Sequence, residues 1–438
     1  MMRRFFLISL GCPKNRVDSE YCLGLFSEIG GELVLNPEDA DYVIVNTCAF
    51  IRPAVEESIE TILELAELKK EKQFKLIVSG CLPGRYKEEL IKELPEVDAF
   101  LGPEPFHELK EALEALENGK KYISLNTKNY KKNNQIPTRI SSISPFYAYL
   151  KISEGCSNSC SYCTIPLIRG PKRSRSFDIL VSEAQKLVAS GIKEIIIVGQ
   201  DITDYKYQNK DLISLLKELD KIEDLKWIRL LYLHPKRITK KLLEHINYSS
   251  KIVPYFDIPI QHASDRILNL MGRGYNQKDL ESIFQKIRKT IPNASLRTTV
   301  MVGFPGETDK DFEVLLKFIE KIKFDHLGSF IFYPEEGTPA ALYKKQIPLK
   351  IKEERYKLIM EKQQLISLEK NKEKVGKIID VLIEGISEEK GDFIGRGYHQ
   401  APEIDGYTYI KANSLQLGNI IPIKITNFKE YDLIGKPI

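Results

Sequence analysis

Between Tyr147 and Phe332 the chain alternates six times between a short apolar run and a helical pattern, which constrains its fold more than any other feature. Tyr147–Ile152, Glu194–Val198, Ile228–Leu233, Tyr255–Ile260, Leu296–Val302 and Leu327–Phe332 read as strands. Helical patterns lie between them at Phe177–Ser190, Asp211–Leu219, Gln277–Thr290 and Asp309–Lys321. Buried strands joined by helix-length crossovers pair in parallel. Six βα units predict an incomplete TIM-like (βα)6 barrel with its chemistry at the C-terminal ends of the strands.

The flanks read differently. Phe5–Ile8, Val43–Val45, Leu76–Val78 and Val97–Leu101 read as buried strands, with Pro53 introducing a crossover helix over Val55–Leu68. Residues 1–119 are therefore expected to form a small parallel α/β sheet domain. The polar stretch Asn126–Ser144 marks a linker, assigned to residues 120–141. The barrel unit spans residues 142–371, closed by a charged helix over Ile351–Lys374. Beyond Gly376, short strands at Ile378–Ile383, Phe393–Ile394, Tyr407–Ile410 and Ile420–Ile425 predict a small OB-like β-barrel over residues 372–438.

Charge divides along the same lines. The whole chain carries +4, but residues 1–119 carry −10, residues 120–371 carry +15 and residues 372–438 carry −1. An acidic first unit and a near-neutral last one lack the basic footprint of RNA binding, with Asp392, Glu403 and Asp405 expected on loops that would repel a phosphate backbone. The first unit would instead suit a basic protein. No apolar run approaches the roughly 18 residues of a membrane span. The opening Met1-Met2-Arg3-Arg4 leads into only six residues, Phe5–Leu10, short of a signal peptide's apolar region, so a cytoplasmic protein is expected.

Seven cysteines in a long chain do not make a secreted disulfide framework. Cys156, Cys160 and Cys163 form a C-x3-C-x2-C loop directly after the first barrel strand. Three thiolates on one tight loop can hold three corners of a cubane iron–sulfur cluster, leaving one iron open to a small molecule. Zinc is the alternative, but a structural site wants a fourth ligand and no Cys or His follows closely. Cys12, Cys48 and Cys81 each come just past an expected strand, at spacings of 36 and 33 residues. Parallel neighbours carry such residues to one edge of a sheet, where ligands bind. Cys22, on the first helix, reads as core.

With Tyr162 before its last cysteine, the loop resembles that of the radical S-adenosylmethionine superfamily. That resemblance implies an open iron chelating S-adenosyl-L-methionine, which an electron cleaves to methionine and a 5′-deoxyadenosyl radical. Hydrogen abstraction from an unactivated carbon is beyond any side-chain base, so a cofactor must supply it. Over essentially the whole chain the pattern resembles the methylthiotransferase branch, with its N-terminal cluster domain, radical core and C-terminal TRAM domain. Its motifs stand as Gly11-Cys12-Pro13-Lys14-Asn15 with Asp18-Ser19-Glu20, Asn46-Thr47-Cys48, Gly80-Cys81 and Val302-Gly303-Phe304-Pro305-Gly306-Glu307-Thr308.

Within that branch it is similar to the RimO-type enzymes, which modify an aspartate of small-subunit ribosomal protein twelve. The pointers are Cys12-Pro13-Lys14-Asn15, where tRNA-modifying relatives usually carry Gln-Met-Asn after the cysteine, Gln261-His262, and Ala401-Pro402-Glu403-Ile404-Asp405-Gly406. The resemblance implies two 4Fe-4S clusters: a radical-generating one on Cys156, Cys160 and Cys163, and an auxiliary one, carrying the sulfur to be donated, on Cys12, Cys48 and Cys81. It implies that one S-adenosylmethionine methylates that sulfur and a second yields the radical that takes hydrogen from the aspartate β-carbon. An electron donor is implied, and RNA contact is secondary at most. The alternatives are methylthiolation of a tRNA adenosine next to the anticodon and a non-enzymatic zinc-holding adaptor.

Weaker signals complete the reading. Gln200 and Gln261 stand at strand ends facing the expected cofactor. Gly303 and Gly306 fit either a ligand contact or a plain turn. Arg169, Lys172, Arg173 and Arg175 read as a solvated basic run, and His234 and His262 as satisfied hydrogen-bonders.

Overall fold

The computed structural model describes residues 3–125, 138–388 and 391–438. A first parallel sheet orders its strands Glu32–Leu33, Arg4–Ser9, Tyr42–Thr47, Lys75–Gly80, Ala99–Leu101, Tyr122–Ser124. Tyr42–Thr47 is buried along its whole length, as a parallel strand covered on both faces must be. The expected strands at both ends of this set are joined by two that sequence reasoning missed. Glu32–Leu33 is too short to show a period, and Tyr122–Ser124 is half-exposed. The latter carries the sheet past residue 119 into the stretch read as linker, most of which lies outside the described residues.

The second sheet holds the six expected barrel strands in chain order: Tyr147–Lys151, Glu194–Val198, Trp227–Leu230, Ile252–Asp257, Ser295–Val302, His326–Ile331. All neighbours are parallel. Helices pack outside, and two start where side chains satisfy the free amides. Asn276 and Asp279 form a reciprocal cap on Gln277–Thr290, as do Thr308 and Asp311 on Asp309–Ile322. The apolar residues facing those helices, among them Leu150, Ile195, Ile197 and Leu230, form the largest core.

The last unit is a closed five-stranded barrel of Ile378–Ile386, Phe393–Gly397, Thr408–Ile410, Leu433–Pro437 and Ile420–Phe428. Its final strand was not anticipated, because Gly435 and Pro437 interrupt the apolar alternation. It docks on the N-terminal ends of the barrel strands through buried charge. Arg396, fully buried, donates to Glu194 at 2.6 Å and to Glu384 at 2.7 and 2.8 Å, while Arg229 holds the other Glu194 oxygen at 2.6 Å.

Asp405 belongs to this dock, and here the expectation of an exposed acidic loop is overturned. Its side chain is 1% exposed, accepts from Tyr255 Oη at 2.6 Å, and lies 3.5 Å from Arg297 and 3.3 Å from His326. Glu403 stays exposed on its turn, as expected, while accepting from Tyr149 Oη at 3.2 Å. Polar strand-start residues inside the open barrel supplied a counter-charge that loop polarity alone could not reveal. Cys22 is core, as expected.

Candidate active site

The cysteine edge of the first sheet follows from strand register. Ser9 pairs with Asn46, Asn46 with Ser79, and Thr47 with Gly80, so the chain leaves three adjacent strands at one level. Cys12 then caps the Pro13–Glu28 helix, Cys48 follows Thr47 directly, and Cys81 opens the Cys81–Glu93 helix. Gly11, at φ +84°, lets the first loop pass over the second: a Cβ there would sit 2.8 Å from Cys48 Sγ. Asn15 stitches the edge, donating to the carbonyls of Leu10, Asn46 and Thr47 at 2.8, 3.2 and 3.0 Å. Asn46 returns bonds to Asn15 O and Ser19 Oγ, each at 2.8 Å. Thr47 Oγ1 donates to Ser79 O at 2.5 Å and accepts from Leu82 N at 3.2 Å, locking the Cys48 and Cys81 segments together.

The second triplet lies on the loop after Ser153–Glu154, ahead of the short Ile165–Arg169 helix. Asn158 N approaches Cys156 Sγ at 3.5 Å, and Arg273 Nη1 lies 3.2 Å from Cys160 Sγ. Tyr162 packs with Ile267, Met271, Phe304 and Phe332 in an apolar cluster that flanks Cys160 and Cys163.

Arg169, six residues past Cys163, reaches across to the first triplet, and the reading of a solvated basic run fails there. The residue is 1% exposed. It donates to Cys81 Sγ at 3.3 and 3.4 Å, to Asn15 Oδ1 at 3.0 Å, to Glu154 at 2.8 Å and to Asp18 at 3.3 Å. Lys151 Nζ pairs with Asp18 and, at 2.7 Å, with Glu154. Arg175 pairs with Glu183 at 2.6 Å, Arg173 with Glu104 at 2.8 Å and Lys172 with Asp204 at 2.9 Å. A second clamp closes the seam where Glu335 accepts from Arg85 at 2.6 Å and from Arg52 N at 3.0 Å. Neither Arg169 nor Glu335 carries a sequence signal of its own; each becomes visible only once the first sheet faces the barrel.

Gln200 sits at the strand end, as expected, and its Nε2 donates to Glu154 at 2.9 Å, leaving its buried Oε1 without a partner. Gln261 takes a left-handed backbone (φ 67°), bridging Val300 through its main chain. Glu307 accepts from the amides of Gly303 and Phe304 at 2.9 and 3.3 Å, which makes this segment a closed turn. His262 Nδ1 accepts from Ser264 N at 2.9 Å, but its buried Nε2 and the buried Nδ1 of His234 lack partners, against expectation. His262 Nε2 lies 3.6 Å from Glu307 Oε2, just beyond hydrogen-bond reach, whereas the charged neighbours of His234 are the cations Arg273, Arg237 and Lys236.

Electrostatics sets one thiol apart. Burial pushes Cys12 up, yet Lys14, Arg169 and the amides of Asn15 and Lys14 bring it below the ordinary value. Burial carries Cys48 and Cys163 to about 12 and also raises Cys81 and Cys156. Ligation by these thiols therefore releases protons.

The donor set, three thiols to each triplet, suits iron–sulfur clusters. A cubane places its thiolates on separate corners, and each triplet has a buried guanidinium on a sulfur, suited to an anionic group.

Comparison with known proteins bears on the whole chain. Residues 4–102 match the model of an uncharacterized protein family, UPF0004, residues 150–319 the Radical SAM superfamily and residues 375–438 the TRAM domain. A ribosomal protein uS12 methylthiotransferase RimO of Acetivibrio thermocellus is 45% identical, covering 100% of this chain and 99% of its own. The protein of that name from Aquifex aeolicus is 48% identical over 98% of this chain and 96% of its own. Among solved structures, the radical S-adenosylmethionine methyltransferase TsrM of Kitasatospora setae shares the fold, with a TM-score of 0.58 at 13% identity over 86% of this chain and 78% of that one. With relatives this similar along its full length, the chain belongs to the ribosomal protein uS12 methylthiotransferase family of radical S-adenosylmethionine enzymes.

Proposed function

We propose that this enzyme transfers a methylthio group to the β-carbon of an aspartate in small-subunit ribosomal protein twelve. Cys156, Cys160 and Cys163 hold the radical-generating cluster, and Cys12, Cys48 and Cys81 hold the auxiliary one. The observation that carries the reading is the buried guanidinium of Arg169, which rises from the helix after the second triplet and ends on a cysteine of the first. Two cysteine triplets facing each other across one seam are what a transfer between them needs. The full-length relatives named for uS12 support the substrate.

When bound, the clusters and S-adenosylmethionine supply a hydrogen-abstracting radical and a transferable methylated sulfur. The chain's own residues do the rest. Tyr162 and its apolar neighbours keep water from the triple-cysteine loop. Gln200, held by Glu154, and Gln261 present polar groups at the barrel mouth for S-adenosylmethionine. Lys151, Glu154, Asp18 and Arg169 fix the distance between the two halves. An external one-electron donor reduces the enzyme, which works in the cytoplasm with RNA contact secondary. No described helix is long and apolar enough to cross a membrane.

The test offers anaerobically reconstituted enzyme purified ribosomal protein twelve and unmodified tRNA side by side. Mass gain on one aspartate of the protein is expected; methylthio transfer to tRNA alone overturns the reading.

A further inference from the structure

The C-terminal unit reaches further into the open barrel than docking requires. Asp405 enters beside the strand starts, and a chain of polar contacts climbs from it through the interior. Its Oδ1 lies 3.5 Å from Nε of Arg297, on the Ser295–Val302 strand. Arg297 Nη1 donates at 3.1 Å to Asp257 Oδ1, at the end of Ile252–Asp257. The other Asp257 oxygen accepts at 3.0 Å from the backbone N of Tyr232, two residues past Trp227–Leu230. The ring centroid of Tyr232 lies 3.7 Å from the ammonium of Lys14, across the seam and two residues along from Cys12. These links connect the last domain with the edge that carries the first cysteine triplet.

Tyr232 is the residue that such a chain has cause to hold. Its backbone is left-handed (φ 61°), a conformation that a bulky side chain keeps only under constraint. Both of its peptide groups are held: Asp257 accepts from its N–H, and its carbonyl accepts from Ile202 N at 3.2 Å. The ionisable groups around its side chain include Lys14, Cys12, Asp257 and Arg297. Asp405 is fixed as firmly at the other end. Tyr255 Oη and Ala401 N donate to its Oδ2 at 2.6 and 2.8 Å, which leaves Oδ1 for Arg297 and, at 3.3 Å, His326. An asparagine there keeps an oxygen for Tyr255 and Ala401 but turns an amide NH2 toward Arg297, donor against donor. The guanidinium is then left with Asp257 alone and draws that carboxylate off Tyr232 N, so the strained peptide relaxes.

We infer that Asp405 is a positioning residue for methylthio transfer: through Arg297 and Asp257 it holds Tyr232 at the barrel mouth, beside the first cysteine triplet. The inference rests on the proposed reaction and adds to it a residue from the domain that carries neither triplet. Side chains at the strand ends of such a barrel line the place of reaction. A displacement there lowers the yield from each radical rather than the formation of the radical.

The test measures 5′-deoxyadenosine formed per methylthiolated product when reconstituted enzyme acts on ribosomal protein twelve. Unfolding of part of the enzyme lowers both quantities together, so a purely structural defect leaves the ratio alone. Asp405→Asn should raise it about 3- to 30-fold, the usual reach of coupling through packed contacts. Tyr232→Ala should raise it as well, and adding Asp405→Asn to Tyr232→Ala should raise it no further, because the acid acts through Tyr232. Glu384→Gln weakens the dock at Arg396, away from this chain, and should keep the wild-type ratio. Should Asp405→Asn fail to fold, Arg297→Lys breaks the chain one link on and carries the same expectations. A wild-type ratio in Asp405→Asn, an equal rise in Glu384→Gln, or a full further rise on the Tyr232→Ala background would each overturn the inference. Failure of wild type to modify the ribosomal protein would instead overturn the proposed function.

Discussion

Arg169→Met should destabilise the seam by about 3 kcal/mol, and the reasoning can be followed atom by atom. The guanidinium is buried and neutralises Asp18 and Glu154, both also buried. Removing one partner of a buried pair costs about 3–5 kcal/mol, because the other charge is left desolvated. Lys151 remains on both carboxylates and Gln200 on one, which places the loss at the low end of that range. Arg169→Lys keeps the charge, but one ammonium cannot span Cys81, Asn15 and Glu154 together, so about 1–2 kcal/mol is lost. Against a usual total of about 5–15 kcal/mol these are large changes. Urea unfolding can be followed through Trp227, the chain's single tryptophan, buried in the third barrel strand. A wild-type midpoint for Arg169→Met, or Lys proving worse than Met, would refute the pairing argument.

Other expectations are briefer. Cys160→Ala should abolish S-adenosylmethionine cleavage, while Cys48→Ala keeps some cleavage and makes no methylthiolated product; full product from either variant would sink the assignment of the triplets. Burial, helped by neighbouring cations, pushes His234 down to about 3 and His399 well below its ordinary value. The unfolded chain therefore binds more protons than the folded one below about pH 6.5, so stability falls there by up to about 1.4 kcal/mol per pH unit for each histidine. His399→Phe should flatten the pH dependence of the urea midpoint, and an unchanged slope would exclude His399 as a source. Arg396→Met removes the shared partner of Glu194 and Glu384 and should give calorimetry a separate, earlier transition for the C-terminal barrel. A single transition at the wild-type temperature would contradict that dock.

The order of the strands and the meeting of Cys12, Cys48 and Cys81 were legible in the chain itself. Apolar period and crossover length are local properties, and parallel register carries equivalent strand ends to one edge wherever the sheet goes. The triple-cysteine loop was legible for the same reason, its spacing being contained within eight residues. Charge was another matter. Arg169 and Asp405 look like ordinary surface residues in sequence, yet both are buried. Whether a long charged side chain meets water or a counter-ion depends on residues far along the chain: Asp18 is 151 positions from Arg169, and Tyr255 is 150 from Asp405. Lys14 is a further case, since motif and helix placed it beside Cys12 but only the facing barrel put Tyr232 beneath it. Backbone pattern is written locally, whereas the desolvation and pairing of charge are decided by which surfaces the tertiary structure brings together.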